Sequence, residues 1–385
     1  MAPALTYSVR DVLTGALLGE LPLTGVRWSW ALNGGGTFSG KLNVADPRVQ
    51  RIDWPALTEP NRAALWVGVD GALVWGGMIT AQARDRSTMS VSVTAQDWAG
   101  YLSRRQQAKD YSTTWATASA SPLAIAETMV NDALGAVGSL PITVAVQGTV
   151  PSTYWVTSSF PGSQRQTLQS VLSMLAGMGY GVGFDFASDV LGTLDDPAGL
   201  VTLSYPRRGR IAGETGLVIE VASDSTADAW TKDGSRQATS VSEMSTGSGG
   251  VQQQSLWAPA FDAGYPLLER QLSHSSMSST PADQSVLAAT LAGDLARLAY
   301  PPLTATITIP AFGPGIVVGD FIVGDDVRVK AGTLGDGSAD PLFPTPLDTY
   351  LRIVGATVQI ADAGTSTMTL SLTTPPTLTP VAPVI

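Results

Sequence analysis

Along the first hundred residues, apolar and polar side chains alternate in short runs separated by glycine-containing turns. Val26-Arg27-Trp28-Ser29-Trp30-Ala31-Leu32 alternates large apolar with polar or small residues, and Phe38-Ser39-Gly40-Lys41-Leu42-Asn43-Val44 resumes the period after Asn33-Gly34-Gly35-Gly36. A period of two puts alternate side chains on one face, so each run predicts a half-buried strand and the two together predict a hairpin. Leu5 to Arg10 and Ala16 to Leu21 flank a turn at Thr14-Gly15, and Ala64 to Val69 meets Ala72 to Trp75 across Asp70-Gly71, a favoured two-residue hairpin turn. A strand through Met78 to Ala83 is answered by Met89 to Ala95, and such a run of strands without a helix predicts a barrel or sandwich.

The period changes in the middle of the chain. Ser121-Pro122 is a cap followed by proline at the first helical position, and Ile125, Met129, Val130, Ala133 and Leu134 form an apolar stripe that stops at Gly135. A second helix is expected from about Gln164 to Met178 with Leu168, Val171, Leu172 and Leu175 inward, before strands at Tyr180 to Phe186 and Leu200 to Tyr205. Arg236 to Trp257 predicts two polar strands around Gly247 to Gly250. Thr280-Pro281 repeats the cap-proline device ahead of a stripe of Leu287, Leu291, Leu295 and Leu298 that ends at Tyr300-Pro301-Pro302. Strands resume at Leu303 to Ile309, Asp326 to Lys330, Tyr350 to Ile360 and Thr367 to Leu372. The expected fold class is therefore β-rich α+β, with two small antiparallel β-barrel domains at residues 1–105 and 303–374. An α+β insert at 106–235 and a segment of polar strands and long helix at 236–302 lie between them, and a Pro-rich extended tail occupies 375–385.

Composition narrows the function. Charged residues are only 14% of the chain, so much of the surface must be Ser, Thr, Ala, Gly or Gln, which suits a large covered interface. The net charge of −10 argues against a basic footprint for holding nucleic acid, while an acidic wall would let DNA slide past. The chain has no Cys, which removes disulfide scaffolds, thiolate zinc sites and thiol nucleophiles. Met1 to Tyr7 lacks the basic start and apolar stretch of a secretory signal, and no later run is long enough to span a bilayer, so folding in the cytoplasm is expected.

Several motifs resemble chemistry and fail it at a decisive position. Gly35 to Leu42 nearly matches a phosphate-binding loop, but Leu42 stands where magnesium needs a hydroxyl, and Lys41 leads into a strand instead of a helix. Asp336, Ser338 and Asp340 have calcium-loop spacing, but Pro341 replaces the glycine of the sharp turn and Leu347 the bidentate Glu. Asp195-Asp196 and Asp325-Asp326 are adjacent carboxylates that a strand would send to opposite faces, unlike the facing pair of a glycosidase. His274 is the only histidine, and no serine sits in a nucleophile elbow. Trp28, Trp30, Trp66 and Trp75 fall within expected strands of one domain, where Trp30, Trp66 and Trp75 fit the barrel core or a subunit contact better than a sugar platform. Gly177, Gly179, Gly181 and Gly183 fit close backbone packing. Arg207-Arg208-Gly209-Arg210 reads equally as a site for an acidic neighbour or as a solvated turn. No catalytic, cofactor-binding or metal-binding residue is assigned, and the expectation is a protein that is not an enzyme.

The order barrel, α+β insert, long helix, barrel resembles the hub proteins of phage tails. Ala72-Leu73-Val74-Trp75-Gly76-Gly77-Met78-Ile79 followed by Val91-Ser92-Val93-Thr94-Ala95-Gln96-Asp97-Trp98 looks like the first barrel of minor tail proteins from long-tailed phages of actinobacteria. Gly324-Asp325-Asp326-Val327-Arg328-Val329, with Leu351 to Val354 and Met368 to Leu372, is similar to the last barrel of such hubs. The resemblance implies a structural virion protein of the tail tip, assembled in the host bacterial cytoplasm. A homotrimeric ring would continue the tail tube and let DNA pass during ejection. Its partners would be the distal tail protein, the tape measure and other minor tail proteins, and Asp325 and Asp326 would be candidates for the channel wall. The alternatives are a tail-tip adhesin for host cell-wall glycan, a distal tail protein and, last, a tail-associated hydrolase.

Overall fold

The alternating runs of the N-terminal region become strands β1 (Leu5–Asp11), β2 (Leu17–Glu20), β3 (Thr24–Ala31), β4 (Thr37–Asn43), β5 (Ala63–Val69), β6 (Ala72–Asp85) and β7 (Ser90–Asp97), with a short helix α1 (Trp54–Leu57) between β4 and β5. The structure is a computed structural model that describes residues 3–107, 109–115, 120–152, 155, 160–177, 183–244, 252–256, 263–272, 291, 294–295, 297–313, 315–362 and 365–375. At the Asp70-Gly71 turn both residues take positive φ, 48° and 83°, the geometry that aligns a two-residue turn with the twist of its strands.

After β7 come α2 (Trp98–Tyr101), α3 (Pro122–Leu134), β8 (Ile142–Gln147), α4 (Leu168–Ala176), β9 (Asp185–Gly192) and β10 (Pro197–Ser204). Both longer helices start on the expected kind of cap. Ser121 accepts from the Ala124 amide at 3.4 Å and Thr167 from the Ser170 amide at 3.2 Å. The second helix starts later than the periodicity suggested, because Thr167 caps it, yet Leu168, Val171, Leu172 and Leu175 are all buried. β8, β10 and β9 form a small sheet against these helices.

β11 (Val218–Glu220), α5 (Val221–Asp224) and β12 (Ala227–Lys232) lead to the polar strands β13 (Ser240–Met244), β14 (Gln252–Leu256) and β15 (Glu269–Leu272), a third sheet. Of the helix expected after Thr280, only positions 291, 294, 295, 297 and 298 are described; they are helical, and Leu291 and Leu295 are buried. Its start at Thr280, Leu287, His274, Gly247 to Gly250, Gly179, Gly181 and most of the Pro-rich tail lie outside the described residues. β16 (Leu303–Pro310), β17 (Asp326–Ala331), β18 (Leu347–Gln359) and β19 (Thr367–Thr373) complete the chain.

The N-terminal and C-terminal strands, expected as two separate barrels, join in one sheet of 13 strands, in which neighbours run β12-β16-β19-β18-β3-β4-β7-β6-β5-β1-β2, with β17 against β18 and β11 against β17. No closed barrel forms among the described residues. Alternation shows that one face of each strand is buried but not which strand lies beside it. The joint is β18. Its first half pairs with β17, its register with β19 shifts between Ile353 and Gly355, and beyond that bulge Gly355 to Gln359 pair with Ala31 to Arg27 of β3. A bulge bends a strand, which lets one long strand serve both ends of the chain.

One core lies under the sheet. Trp28, Phe38 and Leu42 from the N-terminal strands meet Ile307, Val358 and Leu370 from the C-terminal ones. Each such side chain contributes about 1.5–3 kcal/mol by leaving water, so the two ends stabilise each other. A second core joins Trp66 and Trp98, 5.1 Å apart between ring centroids, to α3, α4, β9 and β10. Among the described residues no helix is long and apolar enough to cross a membrane.

Candidate functional site

Over β12, β16, β19, the second half of β18, β3, β4 and β7, the solvent face of the large sheet is built almost entirely from small hydroxyl and amide side chains. Alternation puts Trp28, Phe38, Val93, Val358 and Leu370 in the core and leaves their neighbours in register outside. One cross-strand row runs Thr308, Thr369, Thr357, Ser29, Thr37, Gln96, and the next runs Thr367, Gln359, Arg27, Ser39, Thr94. Hydroxyls bridge strands within the first row, Thr308 to Thr369 at 3.0 Å and Ser29 to Thr37 at 3.2 Å. Over these strands, with Gly355 to Gln359 as the second half of β18, this face carries Arg27 and Lys41 and, among the described residues, no carboxylate; Asp348 and Arg352 lie on the first half of β18.

Beside the sheet, a buried ion-pair cluster fastens the middle of the chain to its C-terminal part. Arg207 grips Asp326 with two donors at 2.6 and 3.2 Å, Arg208 donates to Asp189 at 2.6 Å and Arg210 to Asp325 at 2.5 Å. Arg352 of β18 pairs with Asp185 of β9 and also donates to the Gly324 carbonyl at 3.1 Å. Every carboxylate here has its own guanidinium, which offsets the desolvation penalty of burying charge. Burial still pulls the Arg352 guanidinium below its ordinary range, against the pull of Asp185. Gly209 and Gly324 let the two backbones touch. Both have positive φ, 87° and 108°, and a Cβ on Gly209 would stand 2.2 Å from the Gly324 carbonyl carbon.

A third polar element locks the β3–β4 turn. The buried Asp97 carboxylate accepts from the Gly36 amide at 2.6 Å and the Gly100 amide at 2.8 Å. Desolvation pushes its pKa up to about 7, with nearby Asp189 adding to the rise, although the amide donors oppose it. Asn33, in the same turn, exchanges hydrogen bonds with Asp185 and the Phe186 amide, at 3.0 and 2.8 Å, and so ties Asp97 to the ion-pair cluster. Trp30, Trp75, Phe321, Asp97, Asp189 and Arg208 line a cleft of about 230 Å³ above this junction.

These placements settle the candidates read from the sequence. Asp325 and Asp326 are 0% and 2% exposed and bound to arginines, so they face no channel. Arg207 and Arg208 are buried against acidic partners of this chain, so that part of the run is no solvated turn, while Arg210 pairs with Asp325 and stays 47% exposed. Asp195-Asp196 sits at the tip of the β9–β10 hairpin, where the Asp195 carbonyl accepts from Arg10 at 2.6 Å. Lys41 lies in β4, and the glycines before it serve the Asp97 contact. Asp336 accepts from its own turn at Ser338. Among the described residues no group of His, Asp and Glu is placed to hold a metal ion. Trp28, Trp66 and Trp75 are core residues and Trp30 is half-buried, so these four do not form an exposed stacking platform. Asp185 was missed, since an isolated charged residue in a strand carries no motif, and Asp97 and Arg352 were noted only as members of runs that carry the resemblance.

No protein-family model matches the chain, and no curated protein matches its sequence. Solved structures do. The tail protein from Neisseria meningitidis MC58 shares 15% identity over 96% of each chain, with a TM-score of 0.56. The 43 kDa tail protein of prophage MuSo2 from Shewanella oneidensis shares 13% over 96% of each, with a TM-score of 0.57. A prophage tail protein from Listeria monocytogenes EGD-e shares 13% over 95% of this chain and 94% of its own, with a TM-score of 0.55. The fold of this chain is thus similar to that of phage tail proteins from end to end.

Proposed function

We propose that this chain is a structural, non-enzymatic protein of a phage tail tip, in which three copies close into a hub ring and turn the hydroxyl face of the large sheet toward a channel for DNA. The observation that carries this reading is the end-to-end likeness in fold to three phage tail proteins. Two features of the sheet support it. A stretch of Ser, Thr and Gln without carboxylates, from β16 across Gly355 to Gln359 of β18 to β7, offers a passing polyanion neither strong repulsion nor a dense cationic trap. The sheet is also open, and its terminal strands β2 and β12 each have one unpaired edge among the described residues. Leu17 and Leu18 of β2 are 59% and 44% exposed, an apolar edge that a monomer would ordinarily blunt. Pairing β2 of one copy with β12 of the next is head-to-tail, the kind of contact that closes a ring. Neighbouring tail proteins would cover the ring above and below.

Light scattering of the purified chain tests the stoichiometry. The reading expects a particle of three 39.9 kDa chains; a stable particle of six would move the protein to a distal tail position, and a monomer at all concentrations would refute the ring.

A further inference from the structure

Arg27 and Lys41 are the two charged side chains on the hydroxyl face over β12, β16, β19, Gly355 to Gln359 of β18, β3, β4 and β7, and they stand together. Arg27 is opposite Ser39, and Lys41 is two residues beyond Ser39 on the same strand and face, so the two cations are diagonal neighbours. Both are exposed, and neither makes an ion pair or side-chain hydrogen bond among the described residues. Their cross-strand neighbours are Gln359, Ser92 and Thr24. Asp362, the acid near this end of β3, accepts from the Gly25 amide at 2.8 Å. Arg48 and Arg328 are exposed too but have carboxylate partners, Asp46 and Asp348. Arg51, Arg62 and Arg86 are exposed without one among the described residues, and none of them lies on the hydroxyl face.

We propose that Arg27 and Lys41 are a contact for the phosphate backbone of duplex DNA, in an inference that rests on the channel reading above. Both side chains only donate, and the hydroxyls of Ser39 and Ser92 beside them can donate to the same phosphate oxygens. Among the described residues no helix or ribbon protrudes from this face to enter a groove, so it contacts the backbone and reads no sequence. Two cations per copy in a chain of net charge −10 give a contact that holds DNA weakly and releases it, as passage requires.

The slope of log K against log salt is about −0.9 per neutralised phosphate, so one engaged copy loses about tenfold in affinity between about 50 and 200 mM salt, and a ring of three about a thousandfold. Fluorescence anisotropy of a labelled duplex with the full chain reads this slope. Arg27→Gln and Lys41→Gln should each lower its magnitude by about one per engaged copy, and the double variant should lose binding. Arg48→Gln, off the face, should leave it unchanged. Absence of duplex binding at low salt, equal binding by the double variant, or binding of a sulfated polymer but not of duplex would overturn the inference. Light scattering on the same samples separates the two ideas: a double variant that assembles like the wild type yet binds DNA equally well sinks only the phosphate contact.

Discussion

Replacing Asp97 by Asn isolates a proton that folding takes up. Asp97 is buried, and its folded pKa of about 7 lies above its ordinary value of 3.8. Because the folded value is the higher one, the stability lent by the bound proton is complete below about pH 4 and is lost as the pH rises through 7. The difference between the two pKa values corresponds to about 4 kcal/mol in all, with roughly two-thirds of it between pH 8 and pH 5. Asparagine cannot titrate, and it turns an amide toward one of the two N–H donors from Gly36 and Gly100, so the variant is less stable than wild type at low pH. Urea unfolding of both proteins at pH 5 and pH 8 gives the decisive quantity. The wild type should gain about 2–3 kcal/mol relative to Asp97→Asn on going from pH 8 to pH 5. Parallel pH profiles would refute the reasoning and mean that the Gly36 and Gly100 amides hold the carboxylate charged at all these pH values.

Asp326→Ala strands the buried Arg207 guanidinium and should cost about 3–5 kcal/mol in urea unfolding, whereas Arg207→Met with Asp326→Leu should recover most of that loss. Gly324→Ala puts a Cβ 2.6 Å from the Arg208 carbonyl at a positive φ of 108°, so its unfolding free energy should fall by more than about 2 kcal/mol. Leu18→Lys on the exposed edge of β2 should keep the unfolding midpoint of the protomer within about 0.5 kcal/mol of wild type while removing the ring from light scattering.

The strands were legible because one-sided burial writes a period of two into the sequence, as in Val26 to Leu32 and Thr367 to Leu372. The sheet order was not, because the bulge near Gly355 that hands β18 from β17 to β3 depends on a partner more than 300 residues away in sequence. The low share of charged residues pointed to a surface of Ser, Thr and Gln, and the register shows where these residues gather. Asp325 and Asp326 looked like surface acids because sequence cannot show that Arg207 and Arg210 fold back onto them. Local motifs excluded chemistry at Leu42 and Pro341, whereas the ion-pair cluster brings together residues from β9, the loop after β10, and β18, a combination that no spacing rule encodes.

Electron-microscope class averaging of the purified chain at high concentration tests the central claim most directly. The account predicts a threefold ring whose central channel admits duplex DNA, with the strands that bear Ser39, Thr357 and Thr369 on the channel wall. Rings that place this face outward, or compact single particles with no channel, would contradict it.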